Sequence, residues 1–189
     1  MHLTAKSFLG LAVFAAAGIS QTKIVTNQPN PLEISQRGLA GRRAPSFALP
    51  DMAMKQYDIL DYRGRWLMVE YIKTDSEPAI KLVKALEGVK ARLGAKLAVL
   101  AVVVPPDNTA TVGRFAAATK TTTPILFDSG QTAMWYFKAT PQKPSFDSPH
   151  VFAISPQGLI AHDWNSVQIE DKAFAVELEA LVSGAPDKK

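Results

Sequence analysis

The fold is decided by a junction between a strand pattern and a helix pattern, which reads Leu67-Met68-Val69-Glu70-Tyr71-Ile72-Lys73-Thr74-Asp75-Ser76-Glu77-Pro78-Ala79. The run before Lys73 is apolar apart from one carboxylate, as expected of a strand buried inside a sheet. Asp75 or Ser76 can cap a following helix, and Pro78 suits the first turn of that helix. The stretch therefore predicts a buried strand, a tight turn and a helix in immediate succession.

The segments after this junction alternate between helical and extended patterns. Apolar residues recur at helical spacing from Leu82 to Leu93, and Gly94 ends that helix. The predicted elements that follow are a central strand at 97–104, a helix at 109–119, a strand at 124–128, a helix at 131–137, an irregular loop at 139–149, a hairpin of strands at 151–154 and 159–162, and a closing helix at 170–182. This alternation predicts an α/β fold, a three-layer sandwich with a central mixed sheet flanked by helices.

The domain boundaries follow from changes in composition along the chain. Of the 189 residues, 47% are hydrophobic and 20% are charged, which suits one globular domain. That domain is predicted over 44–183, and it begins with short extended segments at 44–51 and 57–65. The polar stretch 21–43 predicts a flexible linker, and residues 184–189 predict a frayed tail.

The first twenty residues have the layout of a secretory signal peptide. Lys6 gives a basic start, and the apolar run from Phe8 to Ile19 is too short to span a bilayer comfortably. Gly18 and Ser20 are the small residues of a cleavage point after Ser20, and cleavage after Ala17 is an alternative. We therefore expect a periplasmic or secreted protein with no stable membrane insertion once residues 1–20 are removed. An uncleaved anchor or a buried helix is the alternative.

Charge and cysteine content restrict the possible functions. The net charge of +4 is spread along the chain without a run of five basic residues, so nucleic acid is not an expected partner. The chain contains no cysteine. Thiol–disulfide exchange needs a thiolate, so that reaction is excluded. We expect neither a cofactor nor a bound metal.

Four segments together resemble the thioredoxin-like superfamily, in the redoxin branch of alkyl hydroperoxide reductase/thiol-specific antioxidant proteins and envelope thiol oxidoreductases. They are the opening strand Ala44-Pro45-x-Phe47-x-Leu49, the lead-in at 57–64, the strand and turn at 66–79, and the hairpin Ser148-Pro149-His150-Val151-Phe152-Ala153-Ile154-Ser155-Pro156-Gln157-Gly158. The resemblance covers about 44–182. It implies that the turn Ser76-Glu77-Pro78-Ala79 stands where the superfamily has Cys-x-x-Cys, and that the bond before Pro149 is cis.

The resemblance also implies roles for single residues. Glu70 stands where thioredoxins keep a buried acid that helps to titrate the inner cysteine, and Lys73 is a candidate partner for it. The alternatives for Glu70 are a surface-facing carboxylate or a buried one satisfied by a neighbour. Ser148, Pro149 and His150 would form the groove in which this fold binds extended peptides by strand pairing.

Three other groups of residues are candidates for chemistry. Ser76 lies at a helix N-terminus, so Ser76, His150 and Glu70 could form a catalytic constellation, against a plain capping role for the serine. The run His162-Asp163-Trp164 is a candidate metal or ligand site, or simply the end of a hairpin. The run Trp135-Tyr136-Phe137 is a candidate ligand anchor, or part of the core.

The sequence thus predicts an exported thioredoxin-fold protein without the redox centre, acting as a non-catalytic binding or interaction module for an envelope protein or peptide. Three alternatives stay open. The first is a redoxin-family oxidoreductase or antioxidant by ancestry, and the second is an enzyme that uses Ser76 and His150 in a non-redox reaction. The third is a subunit that depends on an active partner.

Overall fold

The computed structural model of the chain describes residues 41–139 and 146–184. The predicted signal peptide, most of the predicted linker, residues 140–145 of the predicted loop and residues 185–189 of the predicted tail lie outside these ranges. The described residues form a five-stranded sheet with helices on both faces, preceded by a short hairpin.

The strands form one mixed sheet and one separate hairpin. Their bounds are β1 Ala48–Pro50, β2 Gln56–Asp58, β3 Trp66–Tyr71, β4 Leu97–Val103, β5 Ile125–Phe127, β6 His150–Ile154 and β7 Ile160–Trp164. The order in the sheet is β5-β4-β3-β6-β7. β3, β4 and β5 are parallel, whereas β6 pairs antiparallel with β3 and β7. The strand of the decisive junction therefore lies at the centre of the sheet.

β3 and β4 are central because their sequences are apolar almost without interruption. All seven residues of β4 and five of the six residues of β3 are buried. Strands covered on both faces have such continuous apolar runs. Trp66 pairs with Leu97 and Tyr71 with Val102. The loops that follow the two strands consequently meet at one edge of the sheet.

In the described ranges, five α-helices cover the two faces. They are α1 Glu77–Leu93, α2 Thr109–Thr119, α3 Gln131–Phe137, α4 Ser166–Glu170 and α5 Phe174–Ser183. One face packs against α1, α2 and α5 through residues such as Leu82, Phe115 and Leu178. The other packs against Tyr136 of α3 and Phe47 of the N-terminal arm. This is the three-layer α/β sandwich that the sequence predicts. None of these helices is long and apolar enough to cross a membrane.

Residues 41–43, which the sequence analysis assigns to the linker, contact the body of the fold. Arg43 forms an isolated antiparallel bridge with Leu159. The carbonyl of Arg42 accepts a hydrogen bond from the N–H of Ile160. The last part of the predicted linker therefore belongs to the fold.

The predicted closing helix over 170–182 is present as α5, but it begins at Phe174 rather than at Glu170, because a turn divides it from α4. The division lies at Asp171, whose carbonyl accepts from the N–H of Phe174. Its carboxylate accepts from the N–H of Ala173 at 2.8 Å. These bonds make a tight turn in place of a continuous helix.

The start of α4 and the end of β7 also differ from the prediction. Asn165 forms a capping box with Gln168, so a helix begins at Ser166. The returning strand runs over Ile160–Trp164 and thus extends two residues beyond the predicted 159–162.

Candidate functional site

The turn between β3 and α1 is built as a helix cap. Ser76 occupies the N-cap position, and its Oγ accepts a hydrogen bond from the N–H of Ala79 at 3.4 Å. Pro78 lies in the first helical turn, where its missing N–H costs little. Ala79 is fully buried. Glu77 is exposed and pairs with Lys81 at 3.0 Å. The hydroxyl of Ser76 is therefore engaged in holding the start of the helix.

A carboxylate braces the loop just before this turn. The N–H of Thr74 donates to Asp107 at 3.1 Å, and the Thr74 hydroxyl donates to the same carboxylate. The hydroxyl of Thr111 also donates to Asp107, at 2.8 Å. Because Asp107 lies between β4 and α2, it ties together the loops that follow two neighbouring strands.

Glu70 is a buried acid in the strand that leads into the turn. Its side chain is fully buried, and neither carboxylate oxygen has a hydrogen-bond partner among the described residues. Burial raises the pKa of Glu70 to about 8, the charge of Glu87 adds to this rise, and Lys90 opposes it. At neutral pH the carboxyl group therefore mostly holds its proton.

The predicted pairing of Glu70 with Lys73 is wrong. Lys73 is exposed, and Glu70 has no bonded partner among the described residues. In an extended chain, the side chains of residues three positions apart point to opposite faces of the sheet. The surface-facing alternative for Glu70 is wrong as well, because β3 is covered on both sides.

Glu87 on α1 is the opposite case, a carboxylate with many donors. Lys90 Nζ lies 2.8 Å from it. The hydroxyls of Thr121 and Thr123 donate at 2.7 and 2.8 Å. The N–H groups of Thr122 and Thr123 each donate at 2.9 Å. Burial alone would raise the pKa of Glu87, but these hydrogen bonds outweigh it and lower the pKa to about 2. The carboxylate clamps the loop between α2 and β5 onto α1.

The segment before β6 lies beside the end of β3. The Ser148–Pro149 peptide bond is cis, the isomer expected from the sequence. β6 pairs with β3 so that His150 is opposite Tyr71. The hydroxyl of Ser148 donates to the carbonyl of Tyr71 at 3.4 Å. The segment and the turn are therefore at the same edge of the sheet.

His150 is buried between two carboxylates. Its Nε2 lies 3.1 Å from the Asp163 carboxylate, and its Nδ1 lies 3.7 Å from that of Asp147. Its ring packs against Phe137 and Phe152, with ring centroids 4.9 and 4.6 Å apart. The imidazole thus joins the loop before β6 to the edge strand β7.

The structure does not bring Ser76, His150 and Glu70 together as a catalytic constellation. Glu70 pairs with Val151, whose side chain belongs to the core on the α1 side of the sheet. His150 lies with Phe152 on the opposite face. A serine nucleophile needs a base within hydrogen-bond reach. Ser76 has its capping contact instead.

The His162-Asp163-Trp164 run does not form a metal site. His162 stacks on Trp164 with ring centroids 4.3 Å apart, whereas Asp163 contacts His150. Within 41–139 and 146–184, no three potential metal ligands cluster. The run is the end of a hairpin.

The aromatic run on α3 is divided between core and surface. Tyr136 is fully buried and Phe137 packs against the core, but Trp135 is 47% exposed. The core interpretation is therefore right for two of the three residues and wrong for Trp135.

Comparisons with known proteins agree with this architecture. The AhpC/TSA family model matches residues 40–163, which is more than half of the chain. The chain belongs to the AhpC/TSA family. A search of the curated proteins finds no match.

The solved structures similar to this AhpC/TSA family chain include a thiol:disulfide interchange protein and a protein studied for peroxide reduction. A thiol:disulfide interchange protein of the thioredoxin family from Chlorobium tepidum has 13% identity and a TM-score of 0.60, and the match covers 76% of this chain and 95% of that one. The Xanthomonas campestris bacterioferritin comigratory protein, studied for alkyl peroxide reduction, has 15% identity and a TM-score of 0.62, with 77% and 98% covered. At these identities the likeness establishes the thioredoxin-like fold alone.

This AhpC/TSA family chain lacks the residues for thiol chemistry in the turn between β3 and α1. The two implied cysteine positions hold Ser76 and Ala79, and the whole sequence contains no cysteine. A hydroxyl that caps a helix and a buried methyl group cannot exchange disulfides or reduce peroxide through a thiolate.

Sequence reasoning did not single out two acids of this site. Asp107 follows Pro105-Pro106 and precedes the helix cap Asn108, so the sequence predicts a loop there. Nothing in that pattern indicates that Asp107 would bind Thr74 and Thr111. Asp147 precedes Ser148, and nothing local predicts its bonds to the N–H and hydroxyl of Ser166.

Proposed function

We propose that this AhpC/TSA family protein is exported and acts as a non-catalytic binding module. Its site is the sheet edge formed by the turn 74–79 and the segment 146–150. One observation carries the proposal. The two residues at the implied cysteine positions have structural roles, because Ser76 caps α1 and Ala79 is fully buried. The partner is an envelope protein or peptide that pairs in an extended conformation.

The main chain before Pro149 supports strand pairing as the mode of binding. Asp147 and Ser148 make no backbone–backbone hydrogen bond to another described residue. Their side chains are held internally, Asp147 by Ser166 and Ser148 by Tyr71. The segment is thus anchored while its backbone is unpaired, which is what a partner that adds a strand requires.

The N-terminal sequence supports export. Lys6, the apolar run from Phe8 to Ile19 and the small residues before Gln21 are typical of a cleaved signal peptide. Mass spectrometry of the protein recovered from cells is expected to find a mature N-terminus near Gln21, in the periplasmic or secreted fraction. The intact chain in the cytoplasm would contradict export.

Site-specific photo-crosslinking in cells tests the binding role. A benzoylphenylalanine introduced in place of Ser148 is expected to yield a discrete crosslinked species. The control places the same group at Val176, which is 69% exposed on α5, and is expected to yield none. Equal crosslinking at both positions, or none at either, would contradict the proposed site.

Activity assays test the non-catalytic part of the proposal. The purified protein is expected neither to reduce insulin disulfides nor to consume hydroperoxide above a blank, because no thiolate is present. Reproducible turnover in either assay would contradict it.

A further inference from the structure

A cleft of about 280 Å³ opens beside the turn, between the start of α1 and one side of α2. It is lined by Thr74, Asp75, Ile80, Thr111, Arg114, Phe115 and Ala118. The cleft lies on the β4 side of β3, whereas the segment before Pro149 lies on the β6 side. It shares Thr74 and Asp75 with the proposed strand-pairing site but not the segment 146–150 that would pair with a strand, and its occupant does not depend on the proposed function.

Two charged side chains of opposite sign are available in this cleft. The hydroxyls of Thr74 and Thr111 already donate to Asp107. Asp75 and Arg114 are exposed, and neither forms a side-chain hydrogen bond or ion pair with another described residue. No nitrogen of Arg114 lies within 4.0 Å of the Asp75 carboxylate, so the two groups do not form an ion pair with each other.

The rest of the lining is apolar. Phe115 is buried, and Ile80 packs against the same core. Ala118 adds a methyl group on α2. A ligand that fills the cleft gains contact with these side chains only if part of it is apolar.

The charges restrict the ligand class further. A fatty acid or other organic anion would suit Arg114 but would place its charge near Asp75. An organic cation would suit Asp75 but would place its charge near the Arg114 guanidinium. A zwitterion with an apolar body satisfies both groups, since its carboxylate can form a paired contact with the guanidinium and its ammonium can approach the carboxylate.

We propose that this cleft binds a short zwitterionic peptide, a dipeptide with apolar side chains. Its carboxylate contacts Arg114, its ammonium contacts Asp75, and a side chain lies against Phe115. Two extended residues span about 7 Å, which suits charges that do not touch each other. The volume is just below the range of about 300–1,000 Å³ of drug-sized pockets, so the ligand is small.

Titration calorimetry with the full chain and L-leucyl-L-leucine tests the proposal. We expect saturable one-to-one binding. N-acetyl-leucyl-leucine, which lacks the ammonium, and leucyl-leucine amide, which lacks the carboxylate, are expected to bind at least about tenfold more weakly, because each loses a charge-assisted hydrogen bond.

Substitutions localise the site. Arg114→Gln and Asp75→Asn are each expected to weaken binding of leucyl-leucine about tenfold or more. The matched control is Arg92→Gln, which removes an exposed arginine that pairs with Glu179 elsewhere on the surface, and it is expected to leave binding unchanged. Circular dichroism establishes that each variant is folded, and amide shifts in the wild-type NMR spectrum are expected to move in α2.

Several results would overturn the proposal. They are no binding of leucyl-leucine at millimolar concentration, equal binding of the blocked dipeptides, unchanged affinity in the Arg114→Gln variant, or shifts confined to residues outside the cleft. The photo-crosslinking result does not bear on any of these readouts, so the two proposals can fail separately.

Discussion

The turn before α1 and the strand that leads into it differ in whether their polar side chains have hydrogen-bond partners. In the turn, the Ser76 hydroxyl caps α1, and Asp107 satisfies Thr74 just before it. In the strand, Glu70 is fully buried with neither oxygen bonded to a described residue. The Ser76 and Thr74 groups of the turn have hydrogen-bond partners, whereas the strand holds an acid that costs stability whenever it is ionised.

Glu87 differs from Glu70 in the same respect. Like Glu70, it contributes a carboxylate to the neighbourhood of α1, and the two carboxylates influence each other. Hydrogen bonds lower the pKa of Glu87 to about 2, whereas burial without such bonds raises the pKa of Glu70 to about 8. Glu87 has hydrogen-bond donors and partial exposure, which favour its charged form, whereas Glu70 has neither.

The largest expected effect is that of Glu70→Gln. The folded pKa of about 8 exceeds the ordinary value of 4.5, so the folded state binds more protons between these pH values and stability falls as the pH rises through that window. The variant should match the wild type near pH ~4 and be more stable by about 5 kcal/mol near pH ~8.5, at 1.36 kcal/mol per pKa unit. Urea unfolding across this pH range measures it.

Glu77→Gln is the control for this experiment, because Glu77 is exposed and forms only a surface ion pair with Lys81. Its stability difference from the wild type should stay within about 0.5 kcal/mol at every pH. An equal pH dependence in the wild type and in Glu70→Gln would show that Glu70 is not a buried, proton-binding acid.

Glu87→Gln should have the opposite sign. The folded pKa of about 2 lies below the ordinary value of 4.5, so the stabilisation is present above that value and disappears as the pH falls through about 2. The carboxylate is 22% exposed, so solvent screening reduces the loss at neutral pH to about 2 kcal/mol. Urea unfolding at neutral and acidic pH measures the loss. A variant as stable as the wild type at neutral pH would refute the clamp.

Ser76→Ala should have the smallest effect. It removes the cap of α1 and should cost about 1 kcal/mol, largely independent of pH. Ser129→Ala, at an exposed serine without a side-chain bond to another described residue, is the control and should be near neutral. Thermal unfolding of both variants measures the difference. Equal stability of both variants would mean that Ser76 does not hold the helix.

The sequence predicted the centre of the fold well, because β3 and β4 are continuous apolar runs and α1 has a serine cap and a regular apolar stripe. It failed where local pattern is ambiguous or where partners are distant. Asp171 interrupts an otherwise helical run, and only the turn it makes shows that α5 is a separate helix. Apart from Lys90, the donors to Glu87 come from more than thirty residues away, so no local signal could assign them.

At the candidate site, the sequence identified positions but not contacts. It placed Ser76 and Ala79 at the turn and Pro149 at the neighbouring edge. It did not foresee that Glu70 would have no partner or that His150 would face Asp163, because strand alternation and cross-strand neighbours decide both.

The central claim is that the turn keeps the geometry of a redox turn while lacking its chemistry, and the Ser76→Cys, Ala79→Cys double variant tests it most directly. After mild oxidation, mass spectrometry and thiol titration should find an intramolecular disulfide, because a bond forms when the two Cα atoms lie about 4.4–6.8 Å apart. The wild type should show no thiol in the same assay. A folded double variant that keeps two free thiols after oxidation would contradict the claim.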